Sequence, residues 1–122
     1  MVERLEIQEK LNILLTNQVI IQNASDITLS TYDFLTKKFN VKIIQDSEMF
    51  WTHLCMALTR MERGEQIEGP PAAILKEIDT MPHKEAIDEI ITYVNSQINK
   101  KLPNEERNYF YLHLHRVIES NK

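Results

Sequence analysis

The chain holds only two glycines, Gly64 and Gly69, in 122 residues, and its apolar residues recur at helical rather than alternating spacing. A strand-rich fold needs frequent tight turns, so this pattern points to an all-α domain. The first expected helix, over 2–16, carries Ile7, Leu11, Leu14 and Leu15 on one face and stops at Asn17. Ser25 and Asp26 are placed to cap a second helix running to Phe39, with Ile27, Phe34, Leu35 and Phe39 inward and Asn40 as a left-handed stop. Asp46 and Ser47 offer a cap to a third, over 47–63, whose Phe50, Leu54, Ala57 and Met61 fall at i, i+4, i+7 and i+11 and so form one stripe. Gly64 ends it.

The stretch from Gly64 to Pro71 is bracketed by both glycines and two of the four prolines, which requires a loop. A short helix with Ile74, Leu75 and Ile78 follows. Pro82 separates it from a longer one with Ile87, Ile90, Ile91, Val94 and Ile98 on a single stripe. Pro103 and Asn104 open the last helix, and Glu105 and Glu106 in its first turn suit the positive end of the helix dipole.

The formal charge of -4 leaves no cationic excess for a phosphate backbone, so direct nucleic-acid binding is not expected. No run approaches the roughly 20 apolar residues that span a bilayer, and the mixed-charge N-terminus lacks a signal-peptide core. A lone Cys55 among Leu54, Met56 and Ala57 reads as a packed thiol. A cytoplasmic protein is expected.

Among the four histidines, His53 lies at the edge of the third helix's stripe, and Arg60, seven residues on, lies almost directly beneath it. A boundary imidazole beside a guanidinium could accept a phosphoryl group, whose charge the cation would stabilise. His113 shares the line Glu106, Phe110, His113 and Val117, so it faces the core side. Spacing leaves both the structural and the reactive reading of each ring open. His83 beside Pro82 reads as a loop or cap residue with no assigned role. His113 and His115, two apart on a helix, diverge by roughly 200° and cannot chelate one ion together. With one cysteine and no His-Glu-x-x-His or Cys-x-x-Cys spacing, neither metal nor other cofactor is expected. A phosphate-cradling glycine loop, a Gly-x-Ser-x-Gly elbow and a kinase-type set are also missing, so enzymatic activity is not expected. Trp51, Met56, Phe110 and Tyr111 exceed what two narrow stripes need, leaving core packing or a partner surface as their uses.

Two segments together carry a resemblance. His53-Leu-Cys-Met-Ala-Leu-Thr-Arg60 followed by Met-Glu-Arg-Gly64 is similar to the first histidine motif of the PTS regulation domains. Glu106-Arg-Asn-Tyr-Phe-Tyr-Leu-His113-Leu is similar to the second. Their order, their separation and the Met81-Pro82 break between them extend the likeness over roughly residues 25–120. The resemblance implies an antiparallel bundle of about five core helices behind a short N-terminal helix. It implies a helical extension over 1–24 and the regulation domain over 25–122, as a free-standing single-domain member. It makes His53 and His113 the phosphoacceptors and Arg60 the phosphate-contact or support residue. The implied phosphoryl donor is the phosphocarrier protein or an enzyme II component of the bacterial sugar phosphotransferase system. The implied role is control of carbohydrate-utilisation genes through altered protein contacts, commonly in a homodimer. An unphosphorylated interaction or structural subunit that keeps the fold is the competing expectation.

Overall fold

A computed structural model describes residues 3–121. Among them the chain forms six helices and no strand: α1 (Arg4–Thr16), α2 (Gln22–Phe39), α3 (Glu48–Arg63), α4 (Ala72–Asp79), α5 (Lys84–Ile98) and α6 (Asn104–Ser120). The all-α expectation and the order of the helices hold. The start of the first expected helix at residue 2 lies outside the described residues. No helix among the described residues is long and apolar enough to cross a membrane.

Helix α2 packs on α1, α3 and α5, while α6 packs on α3, α4 and α5. An aromatic chain ties the centre together. Tyr32 of α2 meets Trp51 of α3 at 5.3 Å between ring centroids, Trp51 meets Phe50 at 4.9 Å, and Phe50 meets Phe110 of α6 edge-on at 5.5 Å. Such tilted and edge-to-face pairs hold orientation as well as burying area, so α3 and α6 are fixed in register along the face that carries His53. Trp51, Phe110 and Tyr111 are buried, which gives them to the core, and Met56 is half-buried against it. Ile7 and Leu11 carry α1 into the same core.

The helix ends mostly follow their local chemistry. Asn40 and Gly64 take the left-handed conformation at φ 54° and 73°. The following amides close back on Thr36 and Arg60 carbonyls at 3.0 and 2.9 Å, satisfying carbonyls that the helix leaves open. Helix α2 departs from expectation by starting at Gln22, so Ser25 and Asp26 lie inside it rather than capping it. The start is set from outside: the Ile21 amide donates to Thr59 Oγ1 at 3.2 Å, and the buried Ile20 anchors the approach. Ser47 stands at the expected position before α3 but makes no side-chain cap bond. Its hydroxyl donates to the Ile44 carbonyl at 3.0 Å and accepts from Trp51 Nε1 at 2.7 Å, a buried bond that the indole needs more than the helix end needs a cap.

Candidate functional site

The packing of α3 on α6 brings four residues into one seam. His53 and Arg60 come from α3, two turns apart on its edge, and Glu106 and His113 come from the facing side of α6. Glu106 joins them. Its Oε1 lies 3.0 Å from His53 Nε2, and its carboxylate accepts two bonds from Arg60, from Nε to Oε2 at 3.0 Å and from Nη2 to Oε1 at 2.9 Å. The paired, two-bond fit of guanidinium to carboxylate is the strong form of this interaction.

The Glu106 side chain is only 4% exposed, against 22% for Arg60 and 15% for His53. Burial alone would raise its pKa, but the hydrogen bonds from His53 and Arg60 and their charges outweigh it and hold the carboxyl below the ordinary 4.5. An ionised carboxylate can only accept, so the contact requires a proton on His53 Nε2. In the neutral ring the lone pair then sits on Nδ1, which has no hydrogen bond among the described residues.

His113 stands beside His53 with ring centroids 5.1 Å apart at 66°. Burial, with the positive charges of His53 and Arg116 added, pushes its pKa from 6.5 down to about 4. His113 is thus held neutral near neutral pH, while the His53 ring is bonded to the Glu106 carboxylate. Phe110 edges against His53 at 5.3 Å and Tyr109 tilts over it at 5.6 Å, which limits how far the imidazole can swing.

The structure thus brings together all three residues picked from the sequence, His53, Arg60 and His113. Glu106 was read there as a helix-start charge, and it does stand with Glu105 in the first turn of α6, but its pairing with His53 and Arg60 was not identified. The available signal was its place on the apolar line with Phe110, His113 and Val117, where a carboxylate must find partners. His83 and His115 lie apart from this seam. Cys55 is buried, and burial pushes its thiol up to about 11, as befits a packed group.

The model of the PRD domain family matches residues 45–117, from the approach to α3 to the last turn of α6, which is more than half of the chain. No curated protein and no solved structure gives a match. The matched span contains His53, Arg60, Glu106 and His113 and both histidine motifs, and the chain belongs to the PRD domain family, whose members are PTS-related regulatory domains.

Proposed function

We propose that the protein is a phosphorylation-responsive regulator in which His53 receives a phosphoryl group and His113 is a second, less accessible acceptor. The observation that carries this reading is the Glu106 carboxylate shared between His53 Nε2 and the Arg60 fork. It orients the ring and gives the imidazole a counter-charge as one nitrogen becomes bonded. In the transfer, the Nδ1 lone pair of His53 attacks phosphorus, the bond between phosphorus and the donor's side chain breaks, and the donor side chain keeps that electron pair. The donor is the phosphocarrier protein or an enzyme II component.

The new group carries a charge of about -2 within reach of the seam. It repels Glu106 and competes with it for Arg60, so the α3–α6 contact that the unmodified carboxylate organises is the element biased by modification. Arg60 then acts in sequence as support for Glu106 and as contact for the phosphate. The output is a changed interaction with a second copy or another protein, in control of sugar-utilisation genes.

The test is incubation with phosphoenolpyruvate, enzyme I and the phosphocarrier protein, with and without enzyme II components, followed by measurement of acid-labile phosphate. Incorporation in wild type that falls sharply in His53→Ala and less in His113→Ala supports the proposal. No incorporation from any donor would leave a helical interaction subunit that has kept the fold without the chemistry.

A further inference from the structure

On the other side of α6 from the seam lies a second cluster that the phosphoacceptor reading does not use. His115 and Glu119 stand four residues apart on α6, a spacing that aligns two side chains on one helix face. The turn between α4 and α5 sets His83 against them. His83 Nε2 is 3.3 Å from Glu119 Oε1, and the His83 and His115 rings are 5.9 Å apart at 33°. One possible ligand atom from each of the three residues lies within 4.8 Å of the other two. Donors bound to one tetrahedral zinc ion stand about 3.3 Å apart, as follows from bonds of about 2 Å, so small side-chain rotations would close the set.

A further observation points the same way. His115 Nδ1 is buried with no hydrogen-bond partner among the described residues. Buried polar atoms are normally paired, and an unpaired ring nitrogen is what a metal ion satisfies. His83 stands at the N-cap position of α5, where its carbonyl accepts from the Ile87 amide at 3.0 Å and its side chain makes no capping bond, leaving the ring for the cluster.

We propose that His83, His115 and Glu119 bind a single divalent transition-metal ion of the zinc class. Two imidazoles and a carboxylate form the three-ligand set that leaves one coordination position for water or a partner's group. Such an ion clamps the α4–α5 turn onto the C-terminal half of α6, the helix that also carries Glu106 and His113. The proposal is independent of whether His53 is phosphorylated. His113 and His115 diverge on α6 and share no ion; His115 draws its partner imidazole, His83, from another element.

The test is calorimetric titration of the metal-free full chain with Zn²⁺ alone, paired with thermal melts, in wild type and in His83→Ala, His115→Ala, Glu119→Gln and His53→Ala. One equivalent is expected to bind and raise Tm. Loss of a ligand is expected to weaken binding at least about tenfold, the scale on which even supporting residues act at metal sites, while His53→Ala leaves it unchanged. Absence of binding in wild type overturns the proposal, as does binding that survives in both His83→Ala and Glu119→Gln or is lost in His53→Ala. Because Glu119 is exposed, Glu119→Gln keeps the test decisive if His115→Ala does not fold.

Discussion

The two sides of α6 carry histidines in opposite circumstances. On the α3 side Glu106 is 4% exposed and binds both His53 and Arg60, whereas on the α4–α5 side Glu119 is 42% exposed and reaches His83 at 3.3 Å. A buried carboxylate has to be paired and therefore dictates where its neighbours stand. An exposed one is screened by water, holds its partner weakly and can be recruited by a new ligand. The first side is thus organised before anything binds. The second has the parts of a site without their final geometry.

That contrast is testable in order of size. Glu106→Ala leaves the Arg60 guanidinium and His53 without their partner at a packed seam and is expected to cost about 3 kcal/mol, the scale of breaking a buried ion pair. Urea unfolding measures it, and a cost below that of Glu119→Gln would reverse the comparison. Next in size is acid sensitivity. The unfolded His113 ring protonates near pH 6.5 but the folded one holds out until about 4, so the unfolded chain binds more protons between those values and stability falls as pH drops through them. The loss should be about 1–2 kcal/mol once the ring's partial exposure is allowed for. Glu106, held below 4.5, adds to the loss at still lower pH. In His113→Gln the slope between pH 6.5 and about 4.5 should flatten; an unchanged slope would assign the acid response elsewhere. Smallest is Glu119→Gln in metal-free protein, expected to stay within about 0.5 kcal/mol of wild type because the pair is solvent-screened.

The same contrast explains what the sequence made legible. Stripe residues such as Phe50, Leu54 and Ala57 and the stops Asn40 and Gly64 were readable because burial periodicity and left-handed termini are local properties. The start of α2 was not, since Ile21 is held by Thr59 from another helix. Nor was the use of Ser47, whose hydroxyl goes to Trp51 rather than to the helix end. His53 and His113 could be selected through the resemblance, and Arg60 by its place two turns below His53. Their convergence and the role of Glu106 depend on how α3 lies across α6, which spacing along one chain does not encode. His83 was passed over for the same reason: its neighbours His115 and Glu119 are distant in sequence and meet it only through the α4–α5 turn.

Glu106 holds His53 by Nε2, and in the proposed transfer Nδ1 takes the phosphoryl group. The most direct measurement is nitrogen–phosphorus correlation NMR on protein labelled with ¹⁵N-histidine and phosphorylated through the phosphocarrier protein. Phosphorus coupled to Nδ1 of His53 is expected, with the signal absent in His53→Ala. Coupling to Nε2 of His53, or phosphate found first on His113, would contradict it.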